Sequence, residues 1–265
     1  MNFVEQEQPT EAIKTLIKNT VLGSNGARYR HVNPLKQLTK LDNPLYFSLM
    51  AKEQCLGNIT LCQRNQSLYL RYFTFHERYQ ASLYSIKRKK SKNSVIKEQV
   101  NRYLNSLIAE TKQSIYAYIE PDNIRSINMA KEFGFNPIAK IAMYHFSRRF
   151  PRASGQFKLL TYDEAIPFIR NQFSTHSYYV ENPNSGLYAA WVTNNEMAII
   201  TRFHEGCWEI KSMKGAFGKL LINLIPWVPI LNKIITPNCH KFLAFDSFLV
   251  LNPSIDTKEL NAFLS

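Results

Sequence analysis

Cysteine and glycine are both scarce in this chain. The four cysteines among its 265 residues, Cys55, Cys62, Cys207 and Cys239, form no CxxC pair. That excludes a disulfide-framed miniprotein and a CxxC zinc site. Four reduced thiols are expected, which points to the cytoplasm. Nine glycines are too few for collagen-like or linker-rich architectures. No apolar run is long enough to cross a bilayer. The most apolar stretch, Leu220 to Ile235, is broken by Pro226 and Pro229 and carries Asn223, Asn232 and Lys233. It reads as a buried helix with a proline break. The segment Met1 to Thr10 has no basic region and carries Glu5 and Glu7, so no signal peptide is expected there. The six histidines include no HxxxH pair, and no Ser/His/Asp set has a recognisable spacing. Neither a metal site nor a catalytic triad is therefore expected.

What is present suits a globular protein. Hydrophobic residues make up 45% and charged residues 20%, with 17 Phe and 14 Tyr as core material. The formal net charge of +13 is unevenly placed: residues 1–150 hold 23 basic and 11 acidic side chains, the remainder 10 and 9. The basic character thus belongs to one half, which suggests separate halves. Its densest cluster is Lys87-Arg88-Lys89-Lys90 with Lys92, a run that attracts phosphate groups.

Periodicity predicts a strand at Met1–Gln6 and a helix from Thr10, with Ile13, Leu16 and Ile17 on one face. A hairpin follows, Leu45–Lys52 with Gln54–Cys62, and then an aromatic-rich strand, Leu68–Phe75. A helix spans about Ser94 to Glu110, and Ser114–Ile119 reads as a short strand. A helix over Asn123–Phe133 ends at Gly134, which suits a left-handed cap. A last strand is expected at Ala139–Ser147. The second half, after the linker Arg148–Gly155, opens with a strand running into a helix. There Thr161 and Glu164 stand at capping-box spacing. A hairpin follows, Leu187–Thr193 with Glu196–Phe203, turning at Asn194-Asn195. Leu45-Tyr46 and Leu187-Tyr188 stand at the same place before their hairpins, which suggests two divergent copies of one plan.

The most specific segment is Glu120-Pro-Asp-Asn123-Ile-Arg-Ser126-Ile-Asn-Met-Ala130-Lys-Glu-Phe-Gly134-Phe135. An Asn, a small residue three on and a helix closing in Gly-Phe resemble the C-terminal signature of the GNAT acyltransferases. The order of elements upstream is similar too, and Thr74-Phe75-His76-Glu77-Arg78-Tyr79-Gln80 resembles the family's central strand. That strand splays from its neighbour and leads into a pyrophosphate loop. The resemblance covers residues 1–147 and, more faintly, 157–265. It implies an α/β fold with a mixed sheet, in two copies, each a mostly antiparallel sheet flanked by helices. The domains would be residues 1–149 and a degenerate copy over 157–265, joined by a linker at 150–156.

The function implied is transfer of an acetyl or other acyl group from acyl-CoA to an amine, with acetyl-CoA as co-substrate. A fold-retaining binding module without activity is the alternative, a homodimer is an admitted assembly, and nucleic acid is not the expected partner. By the resemblance, Phe75, Gln80, Lys90, Ser91, Ser94, Asn123 and Ser126 would contact the cofactor. Glu77 would be the general base, and His76 is similarly placed. The helix start near Ser94 directs backbone N–H groups at an anion. The sequence departs from the family at two places. Leu83 and Ser85 stand where the phosphate loop has glycines, and Ala130 stands where a tyrosine acid is often found, with Tyr116, Tyr118 and Tyr144 as substitutes. A second glycine-containing turn, Lys214-Gly-Ala-Phe-Gly218-Lys219, reads as a simple turn before a helix.

Overall fold

The structure is a computed structural model that describes residues 1–23, 27–64, 66–76, 95–141, 156–176, 181, 186–193, 195–215 and 217–252. The chain divides into two compact units, Met1–Lys140 with Glu209–Leu224, and Ile141–Trp208 with Ile225–Ser265. Each unit has a mixed α/β architecture. The expected strand at Ala139–Ser147 and the linker fall largely on residues 142–155, outside the described residues.

The first unit is built on a five-stranded sheet of order β1-β3-β4-β5-β6. Its strands are β1 (Asn2–Gln6), β3 (Pro44–Ala51), β4 (Gln54–Arg64), β5 (Ser67–Phe75) and β6 (Ser114–Tyr116). The first four are antiparallel neighbours and β6 runs parallel to β5. Sequence periodicity located these strands, but it missed β2 (Arg28–His31) and the short helix α2 (Pro34–Leu38). Both are too short to carry a period. Helix α1 (Glu11–Asn19) starts at Thr10, whose side chain accepts from the Ile13 N–H, and it buries Ile13 and Ile17. With Leu38, Tyr46 and Tyr72 these cover one face of the sheet. The other face packs Phe47, Leu49, Ile59 and Leu61 against α3 (Val95–Thr111) through Ile96, Val100 and Leu104. The stretch from Glu209 belongs to this unit, where Arg30 of β2 bonds Glu209.

In the second unit the sheet order is β10-β9-β8-β7, with β7 (Gln156–Leu160), β8 (Leu187–Thr193), β9 (Glu196–Ser212) and β10 (His240–Val250). Helix α5 (Tyr162–Phe173) begins with a complete capping box: Thr161 accepts from the Glu164 N–H and Glu164 accepts from the Thr161 N–H. It buries Ala165 and Ile169 against Tyr188, Ala190 and Ile200. Leu220–Ile235 is not one buried helix. It forms α6 (Gly218–Leu224), a 3-10 turn (Ile225–Trp227) and α7 (Pro229–Ile234). The two prolines break it, and Leu220, Leu221, Leu224, Trp227 and Ile230 are exposed.

The expectation of four reduced thiols is also corrected. Cys207 and Cys239 are joined by a disulfide, with Cα atoms 5.5 Å apart across a separation of 32 residues. Motif spacing sees only near neighbours. Pairing of β9 with β10 brings these two together, because Lys241, two residues past Cys239, faces Cys207.

The ladders of the two units match. Adding 142 maps the β3–β4 pairs onto the β8–β9 pairs: Ala51↔Gln54 falls on Thr193↔Glu196, and Tyr46↔Thr60 falls on Tyr188↔Arg202. The bulge coincides too. Leu49↔Gly57 is followed by Met50↔Cys55, leaving Leu56 over, and Trp191↔Ile199 by Val192↔Met197, leaving Ala198 over. β1 meets Met50 to Tyr46, and β7 meets Val192 to Tyr188.

Candidate functional site

The site begins where β5 and β6 part. Their parallel ladder has three pairs, Ser67↔Ser114, Leu68↔Ile115 and Tyr69↔Tyr116. The strand expected over Ser114–Ile119 therefore stops at Tyr116. Beyond it β5 stays on β4 as far as Phe75, whereas Ala117, Tyr118 and Ile119 leave the sheet. A cavity of about 210 Å³ opens in the gap, lined by Leu70, Arg71 and Phe73 on one side and residues 117–119 on the other.

A bulge in β5 decides which side chains reach that gap. Thr60 pairs with Tyr72 and Leu61 with Leu70, so Arg71 is the extra residue. Strand parity would put Leu70 and Phe73 on opposite faces. The extra residue lets both turn toward the α3 face with Leu68 and Phe75, and all four pack in that cluster. Arg71 is left exposed along the cavity.

Helix α4 (Ile124–Glu132) closes the gap. Asn123 is its N-cap, accepting from the Ser126 N–H at 3.2 Å. The helix ends in a Schellman motif: Gly134, at φ +85°, donates to Lys131, and Phe135 donates to Ala130. Only a residue tolerant of positive φ turns the chain there, and this brings Phe133 and Phe135 to the cavity with Met129. Ser126 and Ala130 line it, while Asn123 caps from outside the lining.

Arg71 and Tyr118 of the lining join a cluster of aromatic rings and a second arginine. Tyr69, Tyr116 and Tyr118 pack against one another, with centroids 5.2–5.8 Å apart. Arg64 donates to the Tyr116 hydroxyl at 3.2 Å and lies over the Tyr69 ring. Arg71 donates to the Tyr69 hydroxyl at 3.2 Å. His31 of β2 is held below the usual imidazole range by burial first and by the Arg71 charge second. Burial pushes the Tyr29 phenol up, aided by Glu120.

A row of buried polar side chains crosses three strands: Ser48, Asn58 and Thr74 face one another in register. Asn58 donates to Thr60 at 2.7 Å. Ser48 Oγ, Asn58 Oδ1 and Thr74 Oγ1 have no partner among the described protein atoms.

Of the residues expected at the site, Ser126 lines the cavity and Asn123 positions it. Phe75 is buried, its ring against Gly57. Glu77, Gln80, Lys90, Ser91 and Ser94, with the whole Lys87–Lys92 run and Tyr144, lie outside the described residues. Among the substitute tyrosines Tyr118 lines the cavity. The aromatics Tyr69, Tyr72 and Phe73 pack against the two apolar clusters and the Tyr116 and Tyr118 rings. Arg71, His31 and Tyr29 were missed. The signal for Arg71 was present, because the apolar alternation Leu68, Leu70 shifts phase to Phe73, Phe75.

Among the described residues no group of side chains is placed to hold a metal ion, and no helix is long and apolar enough to cross a membrane. No protein-family model matches the chain, and no curated protein matches it. Among solved structures it is similar to an aminoglycoside antibiotic 6'-N-acetyltransferase from Acinetobacter haemolyticus, in its apo form. The identity is 13% and the TM-score 0.37, over 56% of this chain and 99% of that one.

Proposed function

We propose that the first unit is an acyl-CoA-dependent acyltransferase that moves an acetyl group to an amine acceptor. The observation that carries this reading is the opening of β5 from β6 onto a cavity closed by the Asn123-capped helix. Past Tyr69 the free edge of β5 presents backbone N–H and C=O groups with no strand beside them among the described residues. An extended, amide-bearing arm satisfies them as an added strand does. A cavity of about 210 Å³ suits an acetyl group better than a long acyl chain.

In the reaction a neutral amine nitrogen attacks the thioester carbonyl. The C–N bond forms, the C–S bond breaks, the amine gives up a proton, and the departing thiolate takes one up. Orientation in the gap supplies most of the acceleration. Tyr118 is the residue we assign to protonate the thiolate, and Glu77 the residue we assign to accept the amine proton. Gln80, Lys90, Ser91 and Ser94, with the surrounding basic run, are assigned to the phosphates. The second unit is read as a degenerate copy of the first, a reading supported by the matching ladders. The cytoplasmic placement loses its premise of four free thiols.

Ala130 in the lining favours a second reading, a binding module without turnover. Titration with acetyl-CoA separates the two. Wild type is expected to bind, and Ala130→Trp, which fills the cavity, to lose binding at least ~10-fold, about 1.4 kcal/mol, at unchanged melting temperature. Absence of heat and of any thermal shift at high acetyl-CoA overturns acyl transfer and leaves a binding module that has lost the cofactor. Binding without thiol release, across a panel of amines, leaves the binding module.

A further inference from the structure

Among the described residues Arg71 has no carboxylate partner. Its contacts include the Tyr69 hydroxyl at 3.2 Å and the Tyr72 ring, with the guanidinium carbon 5.5 Å from the ring centroid. Among the described residues no acid forms an ion pair with it, although it stands on the lining of a cavity. A guanidinium offers five N–H donors in a planar fork, and one bond to a phenol uses only part of that capacity. Strand parity did not put it there by default, because it is the inserted residue of a bulge. Such insertions re-aim side chains at functional edges.

The lining combines apolar side chains, Phe73, Leu104, Met129, Phe133 and Phe135, with Arg71 and Tyr118. His31 and Tyr29 fall within the electrostatic reach of Arg71. Burial and the arginine together hold His31 below the usual imidazole range, and Arg71 is a fixed positive charge on the lining.

We infer that the acceptor is an amine that also carries an anionic group, a carboxylate or a phosphate, which Arg71 binds through its planar fork. This rests on the acyl-transfer reading above. A carboxylate or phosphate matches the fork in two-point geometry, and one strong point of attachment fixes the nitrogen relative to the thioester. The same charge repels a polycationic amine, so polyamines are poor acceptors.

The test uses the full chain with acetyl-CoA and four amines: β-alanine, phosphoethanolamine, ethanolamine and spermidine. The two anionic amines are expected to show a KM at least tenfold below that of ethanolamine, with spermidine the poorest. Whichever of β-alanine and phosphoethanolamine is preferred identifies the anion. Arg71→Met is expected to raise KM for the anionic amines at least tenfold more than it raises KM for ethanolamine. Arg71→Lys, which keeps the charge without the fork, should retain part of the preference, and it serves should the Met variant fail to fold. Equal KM values across the wild-type panel, or an equal loss for ethanolamine in Arg71→Met, overturns the inference.

A binding arm makes it independent of turnover. N-acetyl-β-alanine and N-acetylethanolamine are titrated into the protein alone. Selective binding of the acid, abolished by Arg71→Met, with no response to acetyl-CoA, keeps the anion site and overturns acyl transfer. Binding of acetyl-CoA with no discrimination between the two titrants does the reverse.

Discussion

The two hairpins, β3–β4 and β8–β9, share register and bulge yet are filled differently. On the helix-covered face the first unit has Ser48, Asn58 and Thr60, where the second has Ala190, Ile200 and Arg202. The first therefore buries a polar row with three oxygens lacking a protein partner. The second closes the same face with apolar contacts and a two-point ion pair from Arg202 to Asp246, with Nη2–Oδ2 at 2.9 Å. Burying a polar group without a partner costs stability. On this face the first unit carries that cost, and there the third strand of the plan, β5, opens onto the cavity described. The second unit instead continues β9 to Trp208 and returns along it with β10. One ladder can serve two ends: a chemical opening, or closure by packing and pairing.

The sharpest way to break this comparison is to damage one unit and watch the other. Leu49 is fully buried, so Leu49→Ala should destabilise the first unit by about 2–5 kcal/mol. All three tryptophans, Trp191, Trp208 and Trp227, belong to the second unit. Far-UV circular dichroism should thus show an early transition while the tryptophan fluorescence midpoint stays put. A common shift in both signals would mean that the chain unfolds as one cooperative body.

The converse variant removes the disulfide. Cys207→Ser with Cys239→Ser should cost the second unit about 2–4 kcal/mol and lower the fluorescence midpoint. Acetyl-CoA binding should be unaffected. Unchanged melting in the presence and absence of reductant would show that the bond contributes nothing.

Helix starts sharpen the comparison further. Thr161→Ala removes a full capping box and should cost about 1 kcal/mol. Thr10→Ala removes a single cap bond of 3.4 Å and should cost less. The α5 start alone should also respond to acid. The Thr161 backbone N–H, donating to it, and then Lys158 hold the Glu164 carboxyl below the usual range. The ionised form is therefore favoured by folding. Its contribution is complete above the ordinary glutamate range and is lost as pH falls through the lowered value. Melting curves of wild type and Glu164→Gln should converge at low pH. Parallel curves across the acid range would remove Glu164 from the account.

The smallest effect concerns the polar row. Ser48→Ala with Thr74→Val gives the first unit something closer to the apolar face of the second, and should be neutral or stabilising by about 1 kcal/mol. A loss of more than that would show that those hydroxyls are bonded in solution.

The long periodic elements were legible in the sequence because their signals are local. Alternation located β3, β4, β5 and β8, and a helical stripe located α1 and α3. Thr161 with Glu164 marked the start of α5, and Gly134 marked the end of α4. The site was legible in part: Asn123, Ser126 and Gly134 were found because a cap, a first turn and a positive-φ stop fall within twelve residues. Arg71 and His31 were not, because what assigns them is contact with elements far along the chain.

By itself the sequence determined the order of the longer elements, the uneven charge and the paired Leu-Tyr placement, since propensity, capping and periodicity act over a few residues. Tertiary structure decided the rest. Register across strands turned the Leu-Tyr likeness into matching ladders, a one-residue bulge aimed Arg71, and early parting of β5 from β6 made the cavity. Strand pairing likewise brought Cys207 to Cys239. Each of these depends on which residues meet across a gap in sequence, which is fixed only when burial of both sheet faces selects a single register.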